Sequence, residues 1–529
     1  MKKPTVRIVS FVSALLILLV STTAWLIISL SITKERIIAA PIEQSSKPVI
    51  MLLYDSLMHE PLQQAIQSGD APAFSYLIKH GTYYSEVVSS YPTMSVAIDS
   101  TILTGTYADK HHVPGLLWFN EQEQKLVSYG SGPHEIRDNS IKEVLQNGVL
   151  KLNSEHLSRD VNTIYERLDE LGIQSASING IIYRGNTPHE LHIPGLLTRS
   201  QMMPHEVTMN GPTLLSLGVM SQYNKGNDQY NYAWNRLGIN NEFTINELAY
   251  FIQEDKLPPF TLAYLPDADA KLHRKGPSDL EAIKQADEAL QKALNLYPSW
   301  QEALDEAIWI VLGDSGQSLV ESDKKQALID MNEVLSGYSL WSHKKQNGQL
   351  AFALNERMGY IHIRDNKLSR DEIVQKLKQE KRLQFIAWQE DGKNYVAGPE
   401  SEQLLVYSRG GSYRDEYGQT WQLEGDLSLL DLYIADHQVQ YNDYPDALAR
   451  LHGALHAQQG NIIVIDAKPS YEIVEHNSYN HVGGGSHGSL HKADSLVPLI
   501  VTGTDTPLED QRLVALQEWL MSLLLQQRP

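Results

Sequence analysis

Residues 48–55 read Pro-Val-Ile-Met-Leu-Leu-Tyr-Asp. The unbroken apolar run has the length of one strand. Its lack of alternation means that both strand faces are covered, as in a parallel sheet. The proline stands at the first strand position, where a missing N–H is tolerated. Phe260–Leu265 and Ile308–Leu312 have the same form, and Asp269 and Asp314 follow them as Asp55 follows the first run. Helical patterns lie between. In residues 156–171, Val161, Ile164, Leu168 and Leu171 recur at helical spacing before Gly172, with a strand from Ile173 to Ile178. Ser278 and Glu281 read as a capping box for a helix with Ile283, Ala286, Leu290 and Leu294 on one face. Strands alternating with helices predict an α/β fold, a doubly wound and mostly parallel sheet.

The flanking sequence divides the chain of 529 residues further. Residues 1–33 hold Lys2, Lys3 and Arg7, then an uncharged stretch from Ile8 to Ile32. At 1.5 Å per residue that stretch makes a helix of roughly 37 Å, long enough to cross a bilayer. A cleaved signal peptide has a shorter apolar region, so an uncleaved transmembrane signal anchor is expected, with cleavage near Ala39-Ala40 as the alternative. Residues 34–47 are a polar linker and 48–330 the first part of the catalytic core. Residues 331–438 read as a small α+β insertion. It has strand runs at 349–354 and 358–363, a helix capped by Ser369, and strands on either side of Asp391-Gly392. Residues 439–529 return to the core, with a helix over 444–457, a strand over 461–465 and the apolar run Val497 to Val501.

The formal net charge of −20 argues against nucleic acid as a bulk partner, because that binding needs a basic face. The absence of cysteine excludes disulfides, thiolate metal sites and a cysteine nucleophile.

In an open parallel sheet, ligands bind outside the carboxyl ends of the strands. Asp55, Asp269 and Asp314 would gather there and repel one another unless cations bind them. His273, four residues after Asp269, shares its face if the segment is helical. His487 lies in the glycine-rich stretch Gly483-Gly-Gly-Ser-His487-Gly. Ser95, in Tyr91-Pro-Thr-Met-Ser95, precedes a segment able to run as a helix, where free N–H groups favour a phosphate oxygen. Singly, each residue has an ordinary reading: Ser95 as an N-cap, aspartates after strands as turn residues, lone histidines as surface residues. Jointly they make a metal-activated serine nucleophile.

The same blocks carry a resemblance. YPTMS with its continuation TILTGTYADKHHVPG, PDADAKLHRKGP, VLGDSGQ and GGSHGSLHKADSLVPLIVTG resemble the alkaline phosphatase superfamily, and within it the type I phosphodiesterase/nucleotide pyrophosphatase branch. The resemblance implies an alkaline phosphatase-like core holding a pair of divalent ions, with Ser95 at the position of the family's Thr or Ser nucleophile. It implies Asp269, His273 and His487 as ligands of one ion, and Asp55 and Asp314 as ligands of the other, bridged by Ser95. The family has Asp-His-Gly where this chain has Asp314-Ser315-Gly316, so one histidine ligand is missing, and the sequence leaves Ser315 open as its replacement. His111, His112, His476, His481 and His491 are other conceivable substitutes, each read as an ordinary loop or surface histidine. Zinc is expected at the histidine-bearing site. Mn, Mg or Ca suits the oxygen-rich one.

The function expected is a membrane-anchored, extracytoplasmic, metal-dependent phosphoesterase of the phosphodiesterase or phosphatase type, acting on a phosphate-ester substrate. Transfer of phosphoglycerol-type groups onto an envelope polymer is an alternative, as is a degenerate, non-catalytic binding protein. A sulfatase is disfavoured, since no cysteine exists and Val-Ala-Ile follows Ser95. The basic residues before the apolar stretch place the amino terminus in the cytoplasm and the remainder outside, in a single-pass protein of the cell membrane. Protease added to intact protoplasts is therefore expected to digest the part after residue 33. Digestion only after lysis would reverse the topology.

Overall fold

A computed structural model describes residues 41–42, 47–130, 141–342, 347–475 and 478–527. The expected membrane span and most of the linker lie outside the described residues. No helix among those described is long and apolar enough to cross a membrane.

The core is a seven-stranded sheet in the order Thr82–Val88, Leu496–Thr502, Ile308–Gly313, Val49–Tyr54, Phe260–Leu265, Ser175–Ile178, Leu214–Ser216. Val49–Tyr54 pairs in parallel with Ile308–Gly313 on one side and Phe260–Leu265 on the other. Leu496–Thr502 runs antiparallel to both of its neighbours. Every residue of the three central strands is buried. Alternate side chains of the first strand enter opposite cores. Val49, Met51 and Leu53 pack with Ile98, Ile102, Leu168, Leu516 and Leu520. Ile50, Leu52 and Tyr54 pack with Leu62, Leu77, Ile283 and Leu290. Helices thus cover both faces, as the unbroken apolar runs require. Burying each such aliphatic side chain contributes about 1.5–3 kcal/mol before entropy is counted.

Local details differ from the sequence reading at two helices. The pattern over 156–171 is broken: a helix with wide π-type turns spans Asn147–His156, and a second helix spans Ile164–Glu170. Thr163 and Glu166 form a capping box that restarts the helix. The buried Arg184 guanidinium takes the carbonyls of Leu157, Ser158 and Val161 and holds the intervening segment out of helix. The helix Leu280–Leu294 begins one residue later than its pattern suggests. Its N-cap is Asp279, so the Ser278–Glu281 box does not form.

The second sheet has nine strands. It contains the expected hairpins Leu350–Asn355 with Met358–Ile363 and Leu383–Glu390 with Lys393–Ala397. Its interior strand Ile462–Ala467 pairs antiparallel with Met358–Ile363 and Leu383–Glu390. The unit therefore reaches past the expected boundary at 438. An apolar run reports burial on both faces, not which sheet supplies its neighbours. The helix Ala447–Leu455 packs into the same core.

The two sheets meet through the hairpin tip Asn355-Glu356-Arg357. The Asn355 carboxamide accepts from the amides of Leu116 and Leu117 at 2.8 and 2.9 Å. Arg357, fully buried, forms an ion pair with the equally buried Asp494 and donates to Ser318 Oγ at 2.6 Å. Arg357→Met strands the Asp494 carboxylate in the interior, which costs about 3–5 kcal/mol. A fall of several degrees in the thermal midpoint is expected, and an unchanged midpoint would show that this pair does not tie the sheets together.

Candidate active site

Strand register builds the site. Tyr54 lies opposite Gly313 on one side and Leu265 on the other, so the next residues, Asp55 and Asp314, emerge side by side. Past Leu265 the chain turns into a short helix, Asp269–Lys275, that sets Asp269 and His273 one turn apart. The Gly483-Gly-Gly run carries His487 in from the far end of the sequence. A Cβ at Gly484 would collide with the backbone oxygen of His273, and one at Gly485 with the Gln317 side chain. Glycine is required there for close approach.

Ser95 opens the helix Ser95–Thr104, whose remaining residues are all buried while Ser95 is half-buried. It is not the N-cap. That position belongs to Met94, which makes no side-chain cap. Ser95 Oγ instead donates to Asp55 Oδ1 at 3.4 Å. The amides of Ala97 and Ile98 are both taken by Met94 O, whereas those of Ser95 and Val96 find no acceptor among the described residues.

Asp55 is nearly buried, and its Oδ2 accepts from the Tyr264 hydroxyl. Asp314 is fully buried. Its Oδ1 accepts from the amides of Ser56 and Ser315 at 2.8 and 2.6 Å, while Oδ2 has no hydrogen-bond partner among the described residues. Burial, then the charges of Asp269 and Asp314, push the Asp55 carboxyl well above the usual range. Burial raises Asp314 also, against the lowering effect of the Ser56 amide and the Ser95 hydroxyl. Asp99 beneath them is raised by burial and by Asp314.

Asp269 Oδ1 lies 3.1 Å from His273 Nε2 and 3.8 Å from His487 Nε2. Burial alone would raise Asp269, but the two imidazoles hold it below the usual carboxylate range. His273 Nδ1 is 2.8 Å from the carbonyl of Gly485, and His487 Nδ1 contacts the carbonyl of Thr93. A carbonyl only accepts, so Nδ1 carries the proton in both rings and Nε2 of the neutral ring offers its lone pair. Asp269, His273 and His487 present ligand atoms within 4.8 Å of one another. These donors, the raised carboxyls and the unsatisfied Asp314 Oδ2 fit divalent cations.

The residues expected from sequence thus converge, with Ser315 beside them. Ser315 is fully buried, and its Oγ lies 3.4 Å from Ser56 Oγ. Ser56, in turn, donates to Asp269 Oδ1 at 3.0 Å. Of the other histidines, His111 contacts Thr101 inside the core and His491 caps Lys492–Ser495. His112 is exposed, and His476 lies outside the described residues. His481 is the exception, its ring stacked on His273 with centroids 4.1 Å apart. Sequence reasoning also missed Ser56, Gln317 and Glu356. Gln317 Nε2 donates to Asp269 Oδ1 at 2.7 Å. Glu356 accepts from Ser486 Oγ at 2.8 Å and from the His487 amide at 3.1 Å. Ser56 and Gln317 could have been sought as neighbours of Asp55 and Asp314. Glu356 left no signal beyond a hairpin turn.

Asp55, Ser95, Asp269, His273, Glu356, His481 and His487 line a cavity of about 1080 Å³ with an apolar wall that includes Leu116, Val144, Val149, Leu152 and Met220.

The sequence model of the type I phosphodiesterase / nucleotide pyrophosphatase family matches residues 49–490. Three similar solved structures are of ectonucleotide pyrophosphatase/phosphodiesterase 5. The murine protein in an inactive variant bound to AMP has a TM-score of 0.56 at 14% identity, and the murine protein alone 0.55 at 14%. The human protein has 0.54 at 15%. Each comparison covers 90% of this chain and 95% of the other, and shows a common fold. Among curated proteins no sequence matches.

Gly484→Ala would push the glycine-rich loop off the Asp269–Lys275 helix and displace His273. Metal affinity, read by equilibrium dialysis, is expected to fall about 10–100-fold, the usual scale for disturbed ligand support. Unchanged affinity would show that the close approach does not position the site.

Proposed function

The chain belongs to the type I phosphodiesterase / nucleotide pyrophosphatase family, and from that membership we propose a metal-dependent phosphoesterase in which Ser95 is the nucleophile. Hydrolysis of phosphate esters is the family's reaction, and it favours the catalytic reading over a binding protein without activity. The observation that carries the serine reading is the surroundings of Ser95. Its hydroxyl is the open end of an otherwise buried helix, faces Asp55, and has two unengaged first-turn amides beside it.

Asp269, His273 and His487 would hold one divalent ion, with zinc suited to their nitrogen-rich set. Asp55, Asp314 and Ser95 would hold the other, and oxygen donors suit Mn, Mg or Ca. Bound there, such ions supply positive charge that lowers the pKa of a hydroxyl and offsets the charge of a phosphate.

Ser95 Oγ attacks phosphorus, its proton leaving with the expelled ester alcohol, and the phosphoryl group stays on Ser95 with any second ester substituent still attached. Water then cleaves that bond and restores the hydroxyl. The Ser95 and Val96 amides lie where they can donate to a phosphoryl oxygen. Gln317 and Ser56 keep Asp269 oriented through their hydrogen bonds. The apolar wall of the cavity suits an organic substituent on the phosphate. AMP, which murine ectonucleotide pyrophosphatase/phosphodiesterase 5 binds, is a reasonable first ligand to assay. Anchoring through Ile8–Ile32, with the catalytic part outside the cytoplasm, completes the proposal on the charge pattern of the amino terminus.

Ser95→Ala is expected to lower turnover of an aryl phosphodiester about 10³-fold or more, with the thermal midpoint and the ion held by Asp269, His273 and His487 retained. Near wild-type turnover would remove Ser95 from the mechanism. Exhaustive dialysis against a chelator should abolish turnover, and divalent ions should restore it. Full activity in metal-free protein would refute metal dependence.

A further inference from the structure

The site has a second group of donors that the mechanism above does not use. His273 Nε2 faces two carboxylates, Asp269 Oδ1 at 3.1 Å and Glu356 Oε1 at 3.8 Å. His273, Glu356 and His481 offer ligand atoms within 4.8 Å of one another, as Asp269, His273 and His487 do. His481 has the support of a metal-binding histidine. Its Nδ1 lies 2.7 Å from Oε1 of the buried Glu472, whose other oxygen accepts the His481 amide at 2.8 Å. The carboxylate only accepts, so Nδ1 carries the proton and Nε2 of the neutral ring is left as a donor to a cation. Glu356 is equally fixed. It sits in a two-residue turn with φ +58°, a backbone that a glutamate adopts only when its surroundings impose it. Ser486 and the His487 amide hold its Oε2, leaving Oε1 toward His273. Two imidazoles and a carboxylate are a zinc-ligand set. His273, however, has one available lone pair, because Nδ1 is committed to Gly485.

We propose that Glu356 and His481 form an auxiliary divalent-cation position that shares His273 with the catalytic set. A zinc ion bound there withdraws His273 from Asp269 and His487 and so inhibits hydrolysis. The inference rests on the reading that Asp269, His273 and His487 hold the catalytic ion.

The test is a zinc titration of the full chain by equilibrium dialysis, with hydrolysis followed in parallel. The wild-type protein is expected to bind a weaker zinc ion beyond those held tightly and to lose activity over the same range. Glu356→Gln keeps an acceptor for Ser486 and the His487 amide but loses the charge, and His481→Gln removes an imidazole. Each should move both weak binding and inhibition to at least about tenfold higher zinc, with inhibition read as the fraction of that variant's own activity at low zinc. If one variant fails to fold, the other decides. Weak binding and inhibition unchanged in the folded variants would overturn the proposal. So would the absence of a weaker ion in the wild type while a tight one is retained. No tightly held zinc in any of these proteins would instead overturn the catalytic-ion reading on which the inference stands.

Discussion

The structure depends on the crowding of three carboxylates: Asp55 and Asp314 directly at the ends of adjacent parallel strands, and Asp269 at the start of the helix that follows a third. Two like charges 4 Å apart repel by about 4 kcal/mol at an effective dielectric constant near 20. That is a large share of the 5–15 kcal/mol by which a typical domain is stable. The fold answers this repulsion in part with Tyr264, Ser56, Gln317 and the backbone amides around Asp314. Part remains, in the raised carboxyls of Asp55 and Asp314 and the unpaired Asp314 Oδ2. Such a site stores an affinity for cations, and cations are what a reaction on an anionic phosphate requires.

The second sheet reaches this site at the tip of a hairpin, and Asp466 on its strand Ile462–Ala467 accepts from Ser489 Oγ and the Leu490 amide just beyond His487. Asn355 grips the Leu116 and Leu117 amides, Arg357 N donates to His487 O, and the Arg357 side chain ties Asp494. His487 is therefore located by both sheets: Thr93 holds its Nδ1 from the core side, and the hairpin tip holds its backbone. This double support fixes a ligand-type side chain on a glycine-rich loop that has little rigidity of its own. It also explains why the hairpin tip tolerates a left-handed glutamate.

Sequence made the catalytic pole legible wherever a local pattern carried it. Apolar runs ending in Asp55 and Asp314 located strand ends, and the four-residue spacing of Asp269 and His273 located one helix face. Val49–Tyr54 and Phe260–Leu265 form where the runs placed them. What escaped was set by contacts distant in sequence. Glu356 carried no signal because its closeness to His487 arises only when the hairpin docks. His481 read as a loop histidine because its partner Glu472 and its stacking on His273 leave no periodic trace. Residues 156–171 read as one helix because the periodicity was real, but the carbonyls taken by Arg184 were not visible. The strand Ile462–Ala467 was legible as a strand, but its place in the second sheet was not.

The central claim is that phosphate passes through Ser95. The direct measurement is an acid quench of the full chain during turnover of a phosphodiester, followed by mass spectrometry of its peptides. The account predicts a phosphoryl group, still carrying the substrate's second ester substituent, on Ser95 in the wild-type protein and none on this segment in Ser95→Ala. The same adduct on Thr93 instead, or burst kinetics in the wild type with Ser95 unmodified, would contradict it.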